Sequence, residues 1–202
     1  MSPRPYRSTA RRTAADQTRS RIVEAARELL ASPAGGGFSV EAVARAAGVV
    51  RMTVYYQFGS KGGLLEALFD HLAQRGRIER LRDVSQMPNP LAALDAFIGM
   101  FADFYDTDRV VIRRLNALAG LDPEVAQSLG KRVAWRRHGA HALLGRIAVG
   151  HAALAVDLDE AADVLMMLTS FETFDQLAGS RAIADIAPTV QRLVRAGLLA
   201  PS

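Results

Sequence analysis

The chain has 202 residues, half of them apolar and 23% charged, with 25 Lys+Arg against 21 Asp+Glu for a formal net charge of +4. That mixture can bury a core and excludes a disordered or fibrous chain. There is no Cys, so disulfide scaffolds, thiol catalysis, thiolate zinc sites and iron–sulfur clusters are excluded together, which suits a reducing cytoplasm. Apolar stretches such as Leu91 to Phe104 are interrupted by Asp95 and Asp103, and no uncharged run reaches the ~20 residues that a bilayer crossing takes. Glu24, Arg27 and Glu28 break up the segment that would have to serve as an export signal, so a cytoplasmic location is expected.

Charge is uneven along the chain. Residues 1–61 hold ten Lys/Arg and four Asp/Glu, whereas the remainder carries two more acids than bases. A basic first third is the footprint of a segment that meets a polyanion, with nucleic acid the leading candidate. Residues 1–17 read as a basic flexible arm whose Arg4, Arg7, Arg11 and Arg12 can lie along phosphates or enter a narrow minor groove.

From Thr18, the positions Ile22, Ala25, Ala26, Leu29 and Leu30 recur at spacings of three and four, which predicts an amphipathic helix. Ser32-Pro33 ends it and Ala34 to Gly37 is a turn. Ser39 then caps a short helix with Glu41 in its first turn and Val40, Val43 and Ala44 on its buried side. Gly48 suits the left-handed conformation that ends a helix and reverses the chain. A second short helix runs from Arg51 to Phe58, and a third restarts after Gly59 with Ser60 as cap and Leu64, Leu65, Leu68, Phe69 and Leu72 as its stripe. Asn89 caps and Pro90 opens a helix marked by Leu94, Phe97, Ile98, Phe101, Phe104 and Tyr105. Further helices are expected near residues 108–119, 123–149, 159–178 and 188–199. No alternating segments bounded by hairpin turns occur, so the fold class is all-α.

Two short helices joined by a Gly-containing turn form a helix-turn-helix. The major groove is about 12 Å wide and admits one helix whose exposed side chains reach base edges. In the second helix Val54 and Phe58, four apart, anchor inward, while Arg51, Met52, Thr53, Tyr55, Tyr56 and Gln57 form the outward set. Such a set has little value in a purely structural helix, where Ala, Glu and Lys are better helix formers.

The run Ser39 to Val49, then Thr53-Val54-Tyr55-Tyr56-Gln57-Phe58, then Ser60-Lys61 with Leu64-Leu65, resembles the N-terminal domain of the TetR (tetracycline repressor) family of bacterial transcription regulators, over roughly residues 18–72. The resemblance implies a two-domain, all-helical homodimer: residues 18–64 as a three-helix DNA-binding domain, and residues 65–202 as a helical ligand-binding and dimerisation domain. It further implies that a small effector releases the protein from a palindromic operator on double-stranded DNA. Carried over by position, Ser39, Tyr55 and Lys61 would hold phosphates and set register, and Arg51, Met52, Thr53, Tyr56 and Gln57 would face the bases, Arg51 foremost. After Lys61, where the family pattern has helix-favouring residues, stand Gly62 and Gly63, each costing about 1 kcal/mol relative to Ala in a helix interior.

For the second domain, Met100, Phe104, Tyr105, Trp135, His138, Met167 and Phe171 are candidates to line an apolar or aromatic ligand site; Leu118, Met166 and Phe174 belong to the same chemistry. Aromatic and Met residues at helical spacing are more often core than ligand contacts, so composition carries this reading better than any one residue. His138 and His141, three apart, could share a metal, but Arg136 and Arg137 stand beside them and no acid in the local sequence completes the set, so no metal and no cofactor are expected. No catalytic triad or phosphate loop is evident, so an enzyme is not expected. The last two helices carry wide apolar faces that would meet symmetry mates in a four-helix dimer interface. The expected function is a ligand-released, sequence-specific repressor; an architectural DNA binder without effector, and a helical enzyme using the His pair, are the rivals.

Overall fold

In the computed structural model, which describes residues 6–32, 38–150 and 154–200, the elements are helices and turns plus a lone bridge between Leu154 and Leu199. The chain divides into two units, one comprising residues up to His71 together with Arg114–Ser128, the other Leu72–Arg113 with the chain from Leu129 onward. Helices α4, α7 and α8 each contribute residues to both.

The first unit is built on α1 (Tyr6–Ala31), α2 (Val40–Ala46), α3 (Arg51–Phe58) and the beginning of α4 (Lys61–Arg75). Ile22, Ala26, Val43, Leu64, Leu65 and Leu68 are wholly buried, with Val54 at the contact of α3. Helix α1 begins at Tyr6, so the stretch read as a flexible arm is helical from that residue, and no Gly or Pro interrupts the sequence from there to Ala31. The tail before Tyr6 and the Pro33–Gly37 turn lie outside the described residues.

Gly63 sits inside α4, where a Cβ would overlap the carbonyl oxygen of Phe58. The absent side chain is therefore a steric requirement here and not only a helix-weakening departure. Ser60 Oγ accepts from the Gly63 N–H at 3.0 Å, satisfying a first-turn donor of the glycine pair's helix.

The second unit contains α5 (Leu81–Gln86), α6 (Pro90–Thr107), most of α8 (Pro123–Gly150), α9 (Leu158–Leu168), α10 (Phe171–Ala178) and α11 (Ala187–Leu198), with the start of α7 (Arg109–Ala119). Helix α6 is its centre: Leu94, Phe97 and Ile98 are at most 1% exposed, and α6 packs against α5 and α11. Asn89 Oδ1 accepts from the Leu91 and Ala92 N–H groups with Pro90 at the first position, as its sequence predicts.

Two sequence expectations need correction. The helix expected over 159–178 is two helices. Thr169 turns its hydroxyl back on the Leu165 carbonyl at 2.6 Å and Ser170 caps a new helix from Phe171 by accepting from the Thr173 N–H, so local side-chain bonds compete with continuing the helix. The segment from Ile78 to Gln86 forms a 3-10 turn and α5; Val84 is buried in the core and Ile78 and Leu81 pack partly against it, a set too short to give a readable period.

Candidate nucleic-acid interface

The reversal between α2 and α3 is closed by two backbone bonds, Gly48 N–H to Arg45 C=O at 3.1 Å and Val49 N–H to Ala44 C=O at 2.9 Å. Gly48 has φ +65°, the left-handed state this cap demands and glycine adopts without strain. Ser39 Oγ accepts from Ala42 N–H at 3.1 Å, so α2 starts capped. Helix α3, in contrast, has no side-chain cap at Val50, and the positive end of its dipole opens to solvent.

Only Val54 of α3 is fully buried. Phe58 is half-buried, held from α1 by Arg19, whose guanidinium carbon lies 4.3 Å from the ring centroid and whose Nη1 donates to the Gln57 carbonyl at 2.8 Å. On the other side Met52 is 70% and Tyr56 87% exposed. Arg51 is exposed as well, and Thr53, Tyr55 and Gln57 lie at the margin. Of the six residues singled out on α3, Arg51, Met52 and Tyr56 are exposed and Thr53, Tyr55 and Gln57 are partly so.

Arg51 does not wave freely. Its Nη1 pairs with Glu41 of α2 at 2.6 Å, its Nη2 donates to the Tyr55 hydroxyl at 2.9 Å, and its guanidinium stands 5.2 Å over the Tyr55 ring. First the Tyr55 bond and then Glu41 raise its pKa, so the cation is permanent. Lys61 pairs with Asp122, which also accepts from the Glu124 and Val125 N–H groups at the start of α8. The Lys61 bond, ahead of those N–H groups and against partial burial, holds the Asp122 carboxyl below its usual range. Glu41, Arg19 and Asp122 were not singled out in the sequence. Glu41 had a visible role as a first-turn acid, but Arg19 and Asp122 reach partners 38 and 61 residues away, which no local pattern signals.

The candidates of the second unit do not form one cluster. Met100, Tyr105 and Phe171 are buried in its core and Phe104 packs against it, with Tyr105 ring centroids 5.3 Å from Phe104 and 5.5 Å from Phe171. Trp135 is 53% and Met167 61% exposed, and His138 is exposed too. His141 lies 3.5 Å from Asp159, an acid supplied by α9; among the described residues no group of three or more metal-ligating side chains gathers. A groove of about 380 Å³ is lined by Arg80, Asp83, Val84, Met87, Ala96, Gly99, Met100 and Asp103, so Met100 of the candidates lies on it.

A three-helix unit that buries α2 and one residue of α3, and turns a basic, aromatic face of α3 to solvent, is a helix-turn-helix of the DNA-binding type. Residues 22–68 match the model of the bacterial regulatory proteins, tetR family. The HTH-type transcriptional regulator AlkX of Mycobacterium tuberculosis is 33% identical over 125 residues, 62% of this chain and 51% of that protein, so the chain spans about half the length of this relative. Bacillus subtilis FadR, a transcriptional regulator solved in complex with stearoyl-CoA, superposes with a TM-score of 0.71 at 20% identity, over 88% of this chain and 98% of that one. A Saccharomonospora viridis chain solved in complex with choline superposes at 0.70 with 15% identity, over 92% and 100% of the two chains. The family match covers residues 22–68, the helix-turn-helix segment of this chain. No helix of the described residues is long and apolar enough to cross a membrane.

Proposed function

We propose that the protein is a cytoplasmic, homodimeric transcriptional repressor that reads a palindromic operator through α3 and is released by a small apolar or aromatic effector. One observation carries the DNA part. The helix after the turn exposes Met52 at 70% and Tyr56 at 87% beside Arg51, a costly surface for a helix with no partner. In this reading Arg51 pairs with guanine O6 and N7, Gln57 with adenine, and Met52 or Thr53 with thymine methyls, each good bidentate contact worth about 1–3 kcal/mol of discrimination. Glu41 and Tyr55 pre-position Arg51. Ser39, whose oxygen accepts within the cap, keeps a hydroxyl hydrogen to donate to a phosphate; Tyr55 and Lys61 hold phosphates beside it, Lys61 exchanging Asp122 for the backbone.

The effector part rests on the second unit. The second unit has a groove within the usual volume range of small-molecule sites, and the relatives solved with stearoyl-CoA and choline share this fold. Met167, Leu177 and Leu193 on the last three helices remain exposed, which suits a face that meets a second copy. An effector acts only by binding the DNA-incompetent arrangement more tightly than the competent one.

Selection of bound sequences from random duplexes tests the reading, repeated with Arg51→Ala and Tyr56→Ala. A palindrome whose base preferences relax in the variants is expected. Enrichment of bent or A/T-rich DNA without a palindrome would favour an architectural role instead.

A further inference from the structure

Helix α2 offers Glu41 a partner of its own. Arg45 stands four residues on, in the last turn of the same helix, at the spacing and in the order that favour an ion pair along one helix face. Among the described residues Arg45 makes no ion pair. Glu41 crosses the turn instead and places Oε1 2.6 Å from Nη1 of Arg51, the first residue of α3. A carboxylate thus stands on the very cation expected to read bases, while a neighbouring cation of α2 keeps its full charge.

The pairing leaves Arg51 able to donate. Glu41 engages Nη1, and Nη2 donates to the Tyr55 hydroxyl at 2.9 Å. Each terminal guanidinium nitrogen carries a pair of N–H groups, and a guanine edge asks for one from each nitrogen through O6 and N7. Arg51 can therefore serve a guanine without releasing either partner.

A phosphate meets a different balance. It is a full anion, and the attraction of Arg51 for it is opposed by the repulsion of a carboxylate on the same guanidinium. Both charges lie well inside the screening length of about 8 Å at physiological salt, so a phosphate at contact feels both. It gains the full cation only by displacing Glu41. Guanine O6 and N7 carry partial charges and bond through short, directional contacts, so they lose far less to the carboxylate.

We propose that Glu41 is a specificity-determining positioning residue: by cancelling the charge of Arg51 without exhausting its donors, it turns a cation that would grip any phosphate into a donor pair that gains mainly from guanine. This rests on the DNA-reading function above and assigns part of its discrimination to a charge on α2.

Binding of random-sequence duplex by the full chain, followed by fluorescence anisotropy between about 50 and 200 mM salt, tests it. Glu41→Gln keeps a side-chain oxygen for Arg51 and removes the charge, and at 48% side-chain exposure the position tolerates the exchange. The magnitude of the salt slope should rise by about 0.9, one further phosphate neutralised, so that the gain in affinity is about threefold larger at the low end of that range than at the high end. Affinity for the duplex that the wild-type protein selects from a random pool should rise less, lowering the ratio of selected to random binding. Glu41→Asp, which restores the charge, should return the slope toward the wild-type value. A glutamate that serves only the first turn of α2 would lower thermal stability in Glu41→Gln and leave slope and ratio unchanged, which overturns the proposal; an equal gain on both duplexes overturns it too. Wild-type protein that selects no sequence removes the DNA-reading function and this role with it. A selected palindrome with an unchanged Glu41→Gln slope removes the role of Glu41 alone.

Discussion

Among the described residues an arginine donates to a tyrosine hydroxyl twice, once in each unit. Arg51 and Tyr55 lie on α3 at the surface with Glu41 as counter-ion; Arg136 and Tyr105 lie in a core, among rings and carbonyls, and no carboxylate of the described residues hydrogen-bonds to either. Water makes the first pair inexpensive to hold and inexpensive to break, so it can exchange Glu41 for a base edge or a phosphate on contact. The second pair cannot exchange with solvent. Its geometry is fixed by packing.

Variants at five positions sharpen or break that contrast. Tyr105→Phe should cost about 1–3 kcal/mol, because a buried donor loses its acceptor, read as a lowered urea midpoint with unchanged slope. A loss below about 0.5 kcal/mol would mean that the buried pair is as weakly coupled as the surface one.

Asp175 offers an intermediate case, a partly buried carboxylate facing Arg109 at 2.6 Å and Arg113 at 2.6 and 2.9 Å. Asp175→Asn should cost about 1–2 kcal/mol at neutral pH. Arg113 first, then Arg109, lower the Asp175 pKa in the folded chain. The stabilisation is therefore complete above the unfolded value of 3.8 and fades as pH falls through the lower folded value, so the two proteins' unfolding curves should converge in acid. A gap that widens on acidification would reverse the assigned sign.

Ser39→Ala should cost about 1 kcal/mol through the lost α2 cap, and Ser39→Gly only a few tenths; equal losses would indicate that the hydroxyl does something other than capping. The smallest effect on folding belongs to Tyr55→Phe, within about 0.5 kcal/mol. Its consequence appears in binding: if the hydroxyl holds a phosphate, affinity falls similarly for all duplexes. Lys61→Ala, in the same assays, should lower the magnitude of the salt slope by about 0.9. Unchanged slope and affinity would remove both residues from the phosphate contacts.

Much of the first unit is legible along the chain because its determinants are local. Gly48 occupies the left-handed cap that its position implies, Ser39 and Asn89 cap the helices they precede, and the α3 strip is exposed where alternate anchoring by Val54 requires it. The second unit resists the same reading. Met100, Trp135, His138 and Met167 look alike as ligand candidates at helical spacing, yet one is core and three are exposed. The break at Thr169-Ser170 is invisible to periodicity, since Leu165, Leu168 and Phe171 continue the apolar stripe across it.

Sequence alone determined the all-helical class, the turn between α2 and α3, and the burial of Val54 on α3, because capping, left-handed turns and amphipathic period each act within a few residues. Only the tertiary structure decided that Arg136 is buried, that Asp122 occupies Lys61, and that Glu41 steadies Arg51. Those outcomes depend on which oxygens other helices bring within 3–4 Å of a charge and on how much water is excluded around it, and both are set by packing over long separations in the chain.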